Sequence, residues 1–216
     1  MMKYKVALFD LDGVVFDTEP QYTVFWGGIA RQYHPEQPGL EHTIKGSTLE
    51  QIFGKFFADV PNEHASIVER LNAFEQQMRY EYVAGFERFV TTLRSHGVRT
   101  AIVTSSNRPK MEAVYAQHPE LNGYFDAILT SEDFSESKPS PDCYIKGAEH
   151  FGVLPEECVV FEDSFNGLES GRESGAYVVG LSTTNPAEQI ASLTNMVIAD
   201  YEDERVEGKL YGIFSF

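Results

Sequence analysis

The chain contains little cysteine and no long apolar run. Only Cys143 and Cys158 occur among its 216 residues. Two cysteines can build neither a disulfide framework nor a four-cysteine metal site, so we expect ordinary buried or half-buried thiols. No apolar run approaches the roughly 18 to 20 residues of a membrane-spanning helix, and the first residues lead directly into a predicted strand without room for a cleaved signal peptide. We therefore expect a cytoplasmic protein without a membrane span.

Basic residues are also scarce. The chain has 17 lysines and arginines against 33 acidic residues, which gives a formal net charge of −16. An acidic surface repels polyanions, and this argues against binding to nucleic acid or to an anionic membrane. The same charge repels an anionic substrate at long range, so a site for one would need its own local cations. We find no long coiled-coil pattern and expect a monomer.

Short apolar runs alternate with amphipathic segments along most of the chain. Six runs are typical of buried strands: residues 6–9, 98–104, 127–130, 158–161, 177–181 and 196–199. Most of the segments that separate the last five runs have helical spacing. This alternation predicts an α/β fold in which helices cover both faces of a parallel sheet. The tail, residues 201–216, has no clear pattern.

Residues 17–82 have helical spacing instead. Aromatic and aliphatic residues recur at three- and four-residue steps from Pro20 to Tyr33, again after Ser47, and again from Ile67 to Met78. The breaks between these segments contain proline, asparagine and glycine, which end helices. We therefore predict a small all-helical domain at 17–82, inserted into a core that is formed by residues 1–16 and 83–216.

Two aspartates and a glycine follow the first predicted strand. Residues 6–9 suit a strand in the middle of a parallel sheet, and Asp10 comes at its carboxyl end, where open α/β sheets bind ligands. Asp12 would point to the same side while the chain is still extended, and Gly13 permits a sharp turn. Carboxylates that close disfavour each other's ionisation, so the pair needs a proton or a cation. An ordinary solvated acidic turn is the alternative.

Polar residues also follow the second predicted strand, and a lysine precedes the fourth. Thr104 and Ser105 offer hydroxyls and backbone amides where the next helix begins, which suits either an anion site or an ordinary helix N-cap. Lys138 lies in a segment that Pro139 and Pro141 stiffen. The lysine could be held against a phosphate, or it could simply be solvated.

Two further carboxylates, Glu162 and Asp163, follow the fourth predicted strand. Together with Asp10 and Asp12 they would make an oxygen-rich pocket at one edge of the sheet. Such a pocket prefers a hard cation, and Mg²⁺ held by a few carboxylates and a substrate phosphate is the natural candidate.

In this order and at these spacings, the four motifs resemble those of the haloacid dehalogenase-like (HAD) hydrolase superfamily. The resemblance implies a Rossmann-like core. It also implies that Asp10 is a nucleophile that forms an aspartyl-phosphate and that Asp12 is a general acid and base. The residues expected to bind the substrate phosphate are Thr104, Ser105 and Lys138, and those expected to bind the metal are Asp10, Asp12 (through its carbonyl), Glu162 and Asp163.

The helical insert is similar to the four-helix cap of the subgroup that contains β-phosphoglucomutase and phosphoglycolate phosphatase. Where that mutase has a cap histidine and a cap arginine for a second phosphate, this chain has Tyr22 and Leu49. Lys45 could replace the arginine or could be a solvated loop lysine. Thr18 and Glu19 are interpreted as hinge and cap-facing residues that, with Tyr22 and Lys45, could contact substrate.

The resemblance therefore implies a Mg²⁺-dependent phosphatase that acts on a small phosphorylated metabolite, similar to a sugar phosphate. The second aspartate, Asp12, favours phosphoryl chemistry over carbon–halogen cleavage, since dehalogenases of the superfamily lack it. Two alternatives remain: a phosphosugar mutase similar to β-phosphoglucomutase, and a catalytically idle binding protein with the same fold.

Overall fold

The computed structural model describes residues 4–44 and 47–215 and contains one six-stranded sheet in which every neighbouring pair is parallel. The strands are β1 (Val6–Phe9), β2 (Arg99–Val103), β3 (Ala127–Leu129), β4 (Cys158–Glu162), β5 (Tyr177–Leu181) and β6 (Met196–Ile198). Their order across the sheet is β3-β2-β1-β4-β5-β6, so β1 and β4 are central. The predicted α/β fold with a parallel sheet is confirmed.

Helices connect the strands and make up the segment between β1 and β2. The helices are α1 (Glu19–Tyr33), α2 (Leu40–Thr43), α3 (Leu49–Phe56), α4 (His64–Glu75), α5 (Phe86–Ser95), α6 (Arg108–Gln117), α7 (Leu121–Tyr124), α8 (Asp142–His150), α9 (Phe165–Ser174), α10 (Ala187–Ile190) and α11 (Tyr211–Ile213). A π-helical turn at Val206–Leu210 leads into α11. Within the described part of the chain, no helix is both long and apolar enough to cross a membrane.

Strand β1 is buried on both of its faces. Ala7 and Phe9 join an apolar cluster that includes α5, α6 and the C-terminal tail, whereas Val6 and Leu8 join a second cluster with α8 and α9. All four side chains are fully buried. This two-sided burial is the reason why β1 is a continuous apolar run rather than an alternating one.

The helices α1 to α4 surround a third apolar cluster of their own. Its buried members are Trp26, Ile29, Ala30, Leu40, Ile44, Ile52, Phe57, Ile67 and Leu71. Helix α3 begins with a capping box, in which the amide of Gln51 donates to Thr48 Oγ1 at 3.3 Å and the amide of Thr48 donates to Gln51 Oε1 at 2.9 Å. The all-helical segment that the spacing predicts is therefore present, and it contains the four α-helices α1 to α4.

Two adjacent links join the helical segment to the sheet. The amide of Asp17 donates to the carbonyl of Glu81 at 2.8 Å, and the amide of Val83 donates to the carbonyl of Val15 at 3.0 Å. The outgoing and returning chains therefore run side by side at the edge of the sheet where β1 ends.

Candidate active site

A cavity of about 460 Å³ lies between the helical segment and the carboxyl ends of β1, β2 and β4. The described residues that line it include every predicted core-site residue: Asp10, Asp12, Thr104, Ser105, Lys138, Glu162 and Asp163. Glu19 and Tyr22 also line it, whereas Thr18 is fully buried beside Asp12. Lys45 lies outside the described residues. The sheet brings distant parts of the sequence together here because parallel strands end at a common edge.

Lys138 lies at the centre of the site and is buried, with 4% of its surface exposed. Its ammonium donates to Asp10 Oδ1 and to Glu162 Oε1, both at 2.7 Å, and to the carbonyl of Val103 at 3.3 Å. Burial alone would lower the pKa of Lys138, but the two carboxylates outweigh it and hold that pKa well above its ordinary value. The lysine is therefore a fixed cation and not a solvated one.

Glu162 is the last residue of β4, whereas the sequence placed it just beyond the strand, and its carboxylate is hydrogen-bonded at both oxygens. Oε1 accepts from Lys138 and from the Tyr144 hydroxyl at 2.9 Å. Oε2 accepts from the amides of Asp163 at 2.9 Å and Ser164 at 3.2 Å. Glu162 therefore orients Lys138 as well as contributing negative charge.

Gly167, in the first turn of α9, allows this carboxylate to pack directly on the helix backbone. A Cβ at residue 167 would overlap the Glu162 carboxyl group. We expect Gly167→Ala to displace Glu162 and to lower the free energy of unfolding by about 2 kcal/mol, as overpacking does in other cores. Urea denaturation measures this loss.

The matched control for this substitution is Gly54→Ala in α3. No atom lies within 4 Å of a Cβ built at Gly54. Alanine is the better helix former, so this variant should gain roughly 0.5 to 1 kcal/mol. Equal stability of the two variants would contradict the packing argument.

Asp10 and Asp163 are buried carboxylates whose ionisation is disfavoured. Burial raises the pKa of Asp10 to about 7; Lys138 opposes the shift, while Glu162 and Asp12 add to it. Burial also raises the pKa of Asp163 well above its ordinary value, with further repulsion from Glu162. This crowding of negative charge is the condition that the sequence predicted for this edge of the sheet.

The same crowding fits a metal ion. Asp10, Glu162 and Asp163 can each offer an oxygen such that the three oxygens lie within 4.8 Å of one another. An all-oxygen, anionic donor set is the kind that hard divalent cations prefer. Gly13, with φ of +71°, allows Asp163 to approach, because a Cβ there would overlap the Asp163 carboxylate. The residues present therefore fit a hard cation.

The carboxylate of Asp12 has a separate set of partners. Its Oδ1 accepts from the Thr18 hydroxyl at 2.6 Å, and its Oδ2 accepts from the Ser106 hydroxyl at 3.2 Å and from the ammonium of Lys110. Thr18, which the sequence placed among possible substrate contacts, thus supports Asp12 directly. The two aspartates of the first motif are held by different lysines.

Lys110 is a site residue that sequence reasoning missed. It lies in the first turn of α6, where a lysine is ordinarily a solvated surface residue, yet only 4% of it is exposed. A signal was available, since a cation in the first turn opposes the helix dipole and therefore needs a compensating partner. That partner, Asp12, is 98 residues away along the chain and could not be identified from local pattern.

Residues 104–107 contain both a helix N-cap and residues that line the cavity. Asn107 caps α6, with its side chain accepting from the amide of Lys110 at 3.0 Å. Thr104 and Ser105 do not cap the helix and line the cavity instead. Thr104 is buried, and its hydroxyl accepts from the amide of Ser106 at 3.0 Å.

The helical segment contributes acidic and apolar residues to the cavity. Its described lining residues include four glutamates, Glu19, Glu41, Glu50 and Glu75, and a group of larger apolar residues, Trp26, Ile44, Leu49, Ile52 and Leu71. Gln51 links the segment to the sheet, because its side-chain amide donates to the carbonyl of Lys138 at 2.8 Å.

Comparison with known proteins agrees with this geometry. The family model for haloacid dehalogenase-like hydrolases matches residues 4–175. Hexitol phosphatase A of Escherichia coli is 32% identical over 190 residues, which cover 84% of this chain and 84% of that protein. The fructose-1-phosphate phosphatase YqaB of Escherichia coli is 31% identical over 184 residues, covering 80% and 94%.

The fold is also similar to solved structures. The β-phosphoglucomutase of Clostridium difficile superposes with a TM-score of 0.77 at 18% identity, covering 97% of both chains. Since a family model spans most of the chain and relatives exceed 30% identity, the chain belongs to the haloacid dehalogenase-like hydrolase family.

Proposed function

We propose that this protein is a Mg²⁺-dependent phosphatase that hydrolyses a small, sugar-like phosphate monoester through an aspartyl-phosphate on Asp10. The observation that carries the proposal is the arrangement around Asp10. A buried carboxylate at the end of the central strand lies 2.7 Å from a fixed ammonium, in a group of carboxylates that fits a hard cation. The names of the two Escherichia coli relatives support phosphorylated sugars and hexitols as the substrate class.

Phosphoryl transfer depends on in-line positioning and on cationic stabilisation of the equatorial phosphate oxygens. Asp10 would attack phosphorus, and Lys138, with Thr104 and Ser105, would hold the phosphate oxygens. Asp10, Glu162 and Asp163 would hold Mg²⁺, along with the carbonyl of Asp12, and the bound ion would neutralise charge on the transferring group. Formation of an acyl-phosphate divides one difficult reaction into two easier steps.

Asp12 would act as the general acid and base. In the first step it would give a proton to the leaving oxygen, and in the second it would take a proton from the water that attacks the aspartyl-phosphate. The hydroxyl of Thr18 and the ammonium of Lys110 hold its carboxylate at the cavity.

Hydrolysis is favoured over mutase chemistry by the charge on the helical side of the cavity. A mutase must hold a second phosphate, which needs a free cation. Lys138 is assigned to the first phosphate, and Lys110, the other lysine among the described residues that line the cavity, is paired with Asp12. Tyr22 donates its hydroxyl to Glu75 at 2.7 Å and offers no charge.

We also propose that residues 17–82 form a cap domain on a core of residues 1–16 and 83–216. The two links between them are adjacent, with Asp17 hydrogen-bonded to Glu81, which suits a hinge. Closure of the cap would exclude bulk water while the aspartyl-phosphate forms.

The first test is hydrolysis of p-nitrophenyl phosphate and of a panel of phosphorylated metabolites by purified protein with and without Mg²⁺. We expect turnover with Mg²⁺, a loss of at least about 100-fold after EDTA treatment, and recovery on adding Mg²⁺, because the ion supplies much of the charge stabilisation. The panel should contain hexose and hexitol phosphates, phosphoglycolate, nucleotides and pyrophosphate.

The outcomes of this test are distinct. Activity that is indifferent to EDTA would contradict the metal assignment. A complete lack of hydrolysis with Mg²⁺ across the panel would favour an idle binding protein. Conversion of a hexose 1-phosphate to the 6-phosphate without release of inorganic phosphate would favour a mutase.

A further inference from the structure

Lys110 is a buried cation whose location is unfavourable unless a partner compensates it. Burial removes its hydration, and the first turn of α6 adds the repulsion of the helix dipole. The residue nevertheless lines the cavity with only 4% of its surface exposed. A lysine with no function beyond solubility would extend from this position into solvent.

The surroundings of Lys110 connect the sheet to the helical segment. Its ammonium donates to Asp12 Oδ2 and lies 4.8 Å from the centre of the Tyr22 ring, within cation–π distance. Tyr22 in turn donates to Glu75 at the end of α4. Burial raises the pKa of Glu75, and the positive charge of Lys110 opposes that shift. Asp12 and Tyr22 therefore fix the ammonium from two sides.

We propose that Lys110 is a positioning residue that holds the carboxyl group of Asp12 in place for proton donation to the leaving oxygen. This inference rests on the proposed phosphatase function. As Asp10 forms its bond to phosphorus, the bond from phosphorus to the leaving oxygen breaks and its electron pair stays on that oxygen. The proton that Asp12 has taken up from solvent passes to the same oxygen, and the carboxylate left behind again accepts from Lys110. Lys110 and Thr18 hold the two carboxylate oxygens, which fixes the orientation of Asp12 at the cavity.

If Lys110 has this role, the loss of kcat/KM on replacing it should depend on the leaving group of the substrate. Proton donation matters little for a good leaving group and greatly for a poor one. We would measure kcat/KM for p-nitrophenyl, phenyl and benzyl phosphate, which are similar in size and have progressively poorer leaving groups. The quantity kcat/KM reports the steps up to leaving-group departure and excludes hydrolysis of the aspartyl-phosphate.

We expect Lys110→Met to lower kcat/KM for benzyl phosphate at least about tenfold more than for p-nitrophenyl phosphate, with phenyl phosphate in between. The ratio between two esters does not depend on the fraction of protein that is folded, so a destabilised variant still gives a valid result. Lys110→Arg keeps the charge and should restore part of the ratio.

The matched control is Lys146→Met, which removes a half-exposed lysine that pairs with Asp142 at 3.0 Å outside the cavity. This control should keep the wild-type ratio. Equal losses for all three esters in Lys110→Met, or no loss, would overturn the role of Lys110 and leave the phosphatase function standing. Absence of turnover in the wild-type protein would instead overturn the function.

Discussion

Replacement of Asp10 by asparagine is expected to abolish turnover without unfolding the protein. Asparagine keeps the shape of the side chain, and its oxygen can still accept from Lys138, but an amide cannot form the aspartyl-phosphate. Loss of a nucleophile costs roughly 10⁴-fold or more in kcat in other enzymes, and we expect a loss of that size. Hydrolysis of p-nitrophenyl phosphate with Mg²⁺ measures it.

Thermal denaturation should show that Asp10→Asn is at least as stable as the wild type. The Asp10 carboxyl is buried among other acids, and burial raises its pKa to about 7. A neutral amide removes the repulsion from Glu162 and Asp12 while the hydrogen bond to Lys138 remains possible. A loss of activity caused by unfolding would instead appear as a lower Tm.

Trapping of the phosphoenzyme separates the nucleophile from other roles of Asp10. Acid quenching of the wild-type protein with labelled substrate should leave label on the protein, and Asp10→Asn should carry none. Asp17→Asn is the control, because Asp17 is exposed and does not line the cavity. Near-normal turnover by Asp10→Asn, or equal labelling of the two variants, would contradict the assignment.

Replacement of Lys138 by methionine is expected to damage both activity and stability. Lys138 is the shared partner of Asp10 and Glu162, each at 2.7 Å. Its removal leaves two buried carboxylates without their cation, and breaking such a pair costs about 3 to 5 kcal/mol. Loss of a positioned cation at the phosphate should also lower kcat/KM by about 100- to 1,000-fold.

Urea denaturation and steady-state kinetics in the same buffer distinguish these two effects. Lys146→Met again serves as the control, since its ion pair is half-exposed and such pairs contribute about 1 kcal/mol or less. Wild-type kcat/KM in Lys138→Met would contradict its role at the phosphate. An unchanged free energy of unfolding would indicate that other groups compensate the charges of Asp10 and Glu162.

The sequence alone predicted the strands and the motifs at their ends. Burial on both faces makes β1 and β4 continuous apolar runs, and this pattern is local. Because the strands are parallel, their carboxyl ends lie at one edge of the sheet, and Asp10, Thr104 and Glu162 therefore meet there. The observed strands differ from the predicted ones by a residue or less at each end; β4 extends to include Glu162 because the sheet pairing with β5 continues through it.

The tail could not be interpreted because its burial depends on distant residues. Leu210 and Phe214 are fully buried against the cluster that contains Phe9 and Phe89. They lie at the end of a five-residue π-helical turn and just after a three-residue α-helix, and elements this short do not give a periodic pattern that the sequence can reveal. Only the finished sheet provides the apolar face that orders this segment.

The sequence by itself determined that an acidic edge with a lysine and a hydroxyl would form at the end of β1. Tertiary structure alone decided which charged residues pair: Lys138 pairs with Asp10 and Glu162, and Lys110 pairs with Asp12. Hydrophobic attraction is non-directional, so the periodicity of apolar residues reports which face of an element is buried and does not identify the partner of a side chain. The partner of a buried charge depends on distance and orientation, which are fixed only when the sheet and the helical segment pack together.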